Sequence, residues 1–192
     1  MQWFTHKTVT LAGALAAGAP TIGLVGALIG SILPDMADTA LAGGNQQRWR
    51  RLHRQTTHWF GWYLGIVALG AWLSARGLGD TAGAAAVADA LEGFARSLGM
   101  NRLTGAGETG ARLLGDAVIW IGLGGLSHIL LDSLTPMGVP LLPQGGRCRF
   151  ALGVIRTGSL AERLFLVVAL GLIAAQFKEV RDLFALALRR FG

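Results

Sequence analysis

Two short stretches place imidazole and carboxylate groups at the edges of apolar runs: HRQTTH at 53–58 and SHILLD at 127–132. Histidine occurs only four times, as His6, His53, His58 and His128, and each lies at or near the end of an apolar segment. Asp35 and Asp38 in LPDMAD, and Asp132 in SHILLD, add carboxylates in similar settings. Ionisable groups beside or within membrane spans are costly to bury, which makes them functional candidates. His128 and Asp132 are four residues apart, so on a helix they share one face. That pair reads either as an ion pair or as two metal ligands, since imidazole and carboxylate donors suit zinc, manganese or iron. Asp35 and Asp38 come after Pro34, where the proline could end one helix and either aspartate could cap the next element. His53 and His58 bracket Arg54, and their five-residue gap does not stack on one helical face. Seven N/O donors exceed one tetrahedral zinc and would suit two ions about 4 Å apart.

Convergence of these groups sets a condition on the fold. The first apolar run, 8–33, is interrupted by Gly18–Ala19–Pro20. A straight helix would hold His6 and Asp35 roughly 40 Å apart at about 1.5 Å per residue. One common site therefore requires a hairpin of two helices, 6–18 and 20–33, rather than one kinked span. Ala16–Ala17–Gly18–Ala19 also resembles the small-residue end of a signal peptide, a reading opposed by the continuation of the apolar run to Leu33. Further spans are expected at about 59–75, where Trp59, Trp62 and Tyr63 form an aromatic belt, at 116–134, and from about 160. Between them lie a polar stretch 34–58, a Gly/Ala-rich insertion 76–115 with an amphipathic helix at 84–98, and an irregular loop forced by Pro136, Pro140 and Pro143. Ser159 and Glu162 stand at the capping-box spacing, and 177–192 reads as an interfacial tail. The expected fold is all-α: one membrane-embedded domain over 1–192, a polytopic helical bundle with a broken first helix or hairpin, three further spans and an amphipathic tail.

Composition agrees with a membrane setting. The 192 residues are 52% hydrophobic and 15% charged, with 29 glycines and a mean hydropathy of +0.49; soluble domains carry about 25% charge. The net charge of +6 fits arginine-rich ends that meet anionic lipid heads, and without a nucleic-acid fold signature no nucleic-acid partner is expected. A single cysteine, Cys148, rules out an intramolecular disulfide.

Taken in order, THKT, LPDMAD, HRQTTH and GGLSHILLDSLTPMGVPLL, then RCRF and TGSLAE, resemble the YdjM-like family of membrane-bound metal-dependent hydrolases, and more distantly the zinc-dependent phospholipases C. The resemblance implies His6, Asp35, Asp38, His53, His58, His128 and Asp132 as metal ligands. It departs at Trp59, where a serine often succeeds the second histidine. It also implies a divalent metal, zinc first, with manganese or iron as alternatives, as one or two ions. A metal-activated water would cleave a phosphoester, such as a phospholipid headgroup or a lipid-linked phosphate. Arg54, Arg147, Arg149 and Arg156 would bind phosphate, unless they serve as positive-inside anchors. An unpaired carboxylate of the Asp35/Asp38 pair, Asp38 first, would act as general base, with Arg54 assisting and Glu162 as a lesser catalytic candidate. Basic residues in short segments place the site on the cytoplasmic side of a bacterial-type inner membrane. Two other classes use such residues: a transporter or ion carrier, which needs access from both faces, and a non-catalytic interaction protein using the basic tail.

Overall fold

The computed structural model describes residues 1–76, 110–143 and 148–177. Six helices organise them: α1 (Trp3–Ala16), α2 (Thr21–Ala42), α3 (Gln46–Leu52), α4 (Phe60–Arg76), α5 (Gly110–Ser133) and α6 (Leu160–Ala174). A 3₁₀ turn, Thr56–His58, leads into α4. The expected amphipathic helix at 84–98, the tail beyond Phe177 and Arg147 lie outside the described residues.

The first apolar run is a hairpin. Ala17 closes α1, Gly18 takes the left-handed region at φ 71°, and Pro20 precedes α2 as its N-cap. A proline there forfeits only an N–H that the helix start leaves unpaired anyway. The small residues that resemble a signal-peptide end are thus the turn that folds α1 back along α2.

Asp35 and Asp38 do not cap a new element. Pro34 sits inside α2, which runs on to Ala42, so both aspartates project from a continuing helix. The polar stretch expected at 34–58 is therefore the last turns of α2, then α3, then the 3₁₀ turn. Gly43, at φ 59°, ends α2 in the left-handed conformation that suits glycine. The proline-rich loop is also more ordered than expected: Val139–Pro140 pairs antiparallel with Arg149–Phe150.

Helix α5 is central, packed along α2 on one side and α4 on the other, while α1 covers α2 and meets α6. Small residues permit the close approach. A Cβ at Gly30 would collide with the carbonyl oxygen of Ile121, whereas one at Gly65 meets nothing within 4 Å. Gly30→Ala should therefore push α2 and α5 apart, lowering stability by about 1–3 kcal/mol as overpacking does. Gly65→Ala should be neutral or slightly stabilising. Thermal unfolding of the two variants in the same detergent separates them; equal midpoints would refute the close approach.

Polarity is distributed inside out. His6, Ser31, Asp38, His58, His128 and Asp132 are all at most 1% exposed, whereas Leu130, Val167 and Val168 are over 60% exposed. Among the described residues, Thr21–Ala42 and Leu113–Ser133 are long and apolar enough to cross a membrane; Phe60–Ala75 is apolar but shorter.

Candidate metal centre

Five chain segments meet at one end of the bundle: the start of α1, the last turns of α2, the 53–58 segment, the end of α5 and the start of α6. The hairpin delivers His6 to this end, and α2 brings Asp35 and Asp38. His128 and Asp132 share one face of α5, with His128 Nε2 3.5 Å from Asp132 Oδ2.

At the centre four ligand atoms face one another. His58 Nε2 lies 3.5 Å from Asp35 Oδ1 and 3.6 Å from Asp132 Oδ2. His128 Nε2 lies 3.8 Å from Asp35 Oδ1 and 3.5 Å from Asp132 Oδ2. His58 Nε2, His128 Nε2 and Asp35 Oδ1 are buried without a hydrogen-bond partner. Buried polar atoms are normally satisfied, so three orphans pointing at one spot call for an explanation. A tetrahedral ion with bonds of about 2.0–2.1 Å holds its ligand atoms about 3.3–3.4 Å apart. The observed separations are close to the edges of that tetrahedron, and the N₂O₂ donor set suits zinc, manganese or iron.

The surrounding side chains aim these atoms. His128 Nδ1 lies 2.6 Å from the carbonyl oxygen of Ser31. A carbonyl only accepts, so Nδ1 carries the proton and Nε2 is left with a lone pair facing the carboxylates. Burial holds the His58 imidazole below the usual histidine range, against the opposing pull of the neighbouring Asp35 carboxylate. Near neutral pH it is uncharged, as a metal ligand must be. Asp132 divides its oxygens: Oδ2 faces the two histidines, while Oδ1 accepts from Arg54 Nη2 at 2.7 Å and from the buried Met1 ammonium at 3.1 Å, and lies 3.2 Å from His6 Nε2. The His6 ring stacks on His128 at 3.9 Å between centroids.

Asp38 is fully buried and has both oxygens engaged. Oδ2 accepts the backbone N–H of Arg54 at 3.1 Å and pairs with His53 Nδ1 at 3.0 Å, and Oδ1 accepts the Thr57 hydroxyl. This carboxylate thus holds the 53–58 segment against α2, and the unpaired oxygen of the aspartate pair belongs to Asp35. The sequence did not single out Thr57, whose hydroxyl is also 3.1 Å from His58 Nδ1.

Arg54 is placed differently from expectation. Its side chain is buried, with Nη1 donating to Thr135 Oγ1 and Nη2 to Asp132 Oδ1, both at 2.7 Å. The guanidinium that sequence reasoning offered to a substrate phosphate is committed inside the protein. Arg149 donates to the carbonyl of Arg54 at 2.9 Å and so ties the β-ladder to this segment. Arg156 is exposed.

Among the described residues two groups of side chains could hold a metal, Asp35, Asp38, His53 and His58, and His6, His128 and Asp132, whose facing edges form the four-atom nest; Glu162 belongs to neither. Ser159 caps α6 by accepting the Glu162 N–H, but the Glu162 carboxylate accepts from Gly158 N–H at 2.6 Å and from Gln2 N–H at 2.7 Å. It therefore joins the starts of α1 and α6 instead of closing a simple capping box. Glu162→Gln weakens two charge-assisted bonds, and a loss of about 1.5–3 kcal/mol is expected. Thermal stability should fall while metal affinity stays within about twofold; loss of affinity far beyond the stability change would move Glu162 into the site.

The model of the YdjM inner membrane protein family matches residues 1–189, and the chain belongs to that family. No curated protein and no solved structure matches it.

Proposed function

We propose that this member of the YdjM family is a multi-pass inner-membrane hydrolase that depends on a divalent metal and acts on a phosphoester, such as a lipid headgroup or lipid-linked phosphate. The observation that carries the reading is the set of open, buried ligand atoms on Asp35, His58, His128 and Asp132. A divalent ion held by these four residues supplies a Lewis acid and lowers the pKa of a water from 15.7 to about 7. Zinc fits the donor set first, with manganese or iron as alternatives.

The remaining roles belong to the chain itself. Arg54 and His6 hold Asp132 in the orientation that keeps Oδ2 toward the histidines. Asp38 orients His53 through Nδ1, so the opposite ring nitrogen is the one free to exchange a proton with a reacting group. His53 is the most accessible of the four histidines, its side chain being 18% exposed against 2% or less for the others. It is the better-placed proton carrier, in place of Asp38. The inside-out polarity and the two long apolar helices support a span-forming bundle with the site at one end. The exposed Arg48, Arg50, Arg51 and Arg156 at that end support a cytoplasmic face. Gathering the ligands at one end also favours an enzyme over a carrier, whose ligands must be reached from both sides.

The test has two parts. The purified full chain, stripped and reloaded, should bind a stoichiometric transition metal, measured by elemental analysis. The loaded protein should then release phosphate or alcohol from a panel of lipid and nucleotide phosphoesters. Absence of any affinity for zinc, manganese and iron would overturn the reading, as would a loaded protein inert on the whole panel.

A further inference from the structure

Where α2 gives way to α3, a cavity of about 240 Å³ is lined by Thr39, Ala42, Gly44, Asn45, Gln46 and Trp49. Two stacked rings, Trp49 and His53, separate it from the metal centre. The Trp49 ring that walls it stacks on His53 at 4.2 Å and 20°, and His53 Nδ1 is 3.8 Å from Asp35 Oδ1. Spacing along α3 adds direction. Gln46, Trp49, Arg50 and His53 fall at i, i+3, i+4 and i+7, a single stripe running from the cavity to the site.

The cavity is below the roughly 300–1,000 Å³ of pockets that enclose drug-sized ligands. It has room for a headgroup but not for acyl chains. One turn before Thr39 on α2, Met36 is half exposed, and Leu41 is 52% exposed beside Ala42. Under the membrane reading Met36 lies deeper toward the bilayer than Thr39, which leaves an apolar exit for chains. None of the lining residues is charged, but the helix that supplies Gln46 and Trp49 to the wall also carries the exposed Arg48, Arg50 and Arg51, a positive charge that complements phosphate.

We propose that this cavity is the headgroup subsite for an anionic phospholipid, with Trp49 as its wall toward His53 and Arg50 as its phosphate-facing cation. The proposal rests on the hydrolase reading for its purpose, but its test reads binding. The full chain, loaded with zinc in maltoside micelles that contain no phosphorus, is titrated with dihexanoylphosphatidic acid, sn-glycerol 3-phosphate, inorganic phosphate and glycerol. Phosphorus NMR tracks the phosphate-bearing probes, and calorimetry tracks glycerol. Dihexanoylphosphatidic acid should bind most tightly, sn-glycerol 3-phosphate more weakly, and glycerol not at all. Thr39→Trp, which fills the cavity, and Arg50→Ala should each weaken the lipid by about tenfold or more. Arg51→Ala, which removes the same charge off the stripe, should change it less than about twofold. Zinc per chain should be unchanged in all three variants.

Equal affinity in Thr39→Trp and the unsubstituted chain would overturn the proposal. So would equal losses for Arg50→Ala and Arg51→Ala, which signal general charge attraction, or inorganic phosphate binding as tightly as both esters, which signals an anion on the metal alone. If zinc fails to bind while the lipid and variant pattern holds, the hydrolase reading falls and the subsite stands. If zinc binds and the lipid ignores the variants, the reverse is true.

Discussion

His128→Ala should abolish stoichiometric metal binding while leaving the helices assembled. Its Nε2 is one of the two nitrogens of the four-atom nest, and no other histidine can take its place without moving a helix. His6 is stacked flat against it with Nε2 turned to Asp132 Oδ1, and His53 is held by Asp38. Loss of an outer-sphere partner typically lowers metal affinity about 10–100-fold, so loss of a direct ligand should exceed about 100-fold. The fold should tolerate the change better than the site does. The deleted ring leaves the Ser31 carbonyl within a helix, and the removed Nε2 was itself an unsatisfied polar atom. Competition against a chelator of known affinity gives the first quantity, and helical circular dichroism gives the second. Binding of zinc by His128→Ala within tenfold of the unsubstituted chain would show that the nest is not where the ion sits.

How much of this was legible beforehand varies with the kind of residue. Gly18–Ala19–Pro20 marked the break, because turn chemistry is local, but left a kinked span open; only the need to bring His6 to Asp35 called for the hairpin that the structure has. The seven ligand candidates stood out because charged and imidazole groups are conspicuous in apolar surroundings, and the structure places them in two adjoining groups at one end of the bundle. Their division of labour was not legible. Pro34 read as a helix end, yet the flanking contacts of α2 with α5 carry the helix through it, a tertiary override of a local signal. Nothing in HRQTTH indicated that Arg54 turns inward, because that depends on Asp132 and Thr135, which are about eighty residues away. Thr57 was missed for a similar reason: a lone hydroxyl signals nothing until Asp38 is beside it. Glu162 carried a visible capping signal, but its second partner, the backbone of Gln2, is on the opposite end of the chain.

Arg54→Leu should be the most destabilising single change in the site when the metal is removed, and loading with metal should restore part of the loss. The guanidinium is 7% exposed and its partner Asp132 1% exposed, with 2.7 Å between them. Removing one member of a buried pair typically costs about 3–5 kcal/mol; the Met1 ammonium, 3.1 Å from the same Oδ1, still faces Asp132, so a loss at the lower end of that range is expected. The backbone raises the sensitivity: Arg54 has φ 58°, a region that a non-glycine residue holds at a cost of about 1–2 kcal/mol, sustained here by the Asp38 and Arg149 hydrogen bonds to its N–H and carbonyl. Arg54→Lys should not restore stability, because one ammonium cannot reproduce the forked contact to both Asp132 and Thr135. A bound divalent cation compensates the same carboxylate from its other oxygen, so saturating zinc should raise the melting temperature of Arg54→Leu more than that of the unsubstituted chain. At 100 times Kd, ligand binding to the folded state alone adds about 2.7 kcal/mol, enough to detect the difference. The double change Arg54→Leu with Asp132→Asn removes both side-chain charges but keeps an oxygen beside the buried Met1 ammonium, and it should gain little from zinc. If Arg54→Leu unfolds at the temperature of the unsubstituted chain without metal, the guanidinium is not the charge that holds Asp132. If zinc stabilises the double variant as well as the single one, Asp132 is not a ligand.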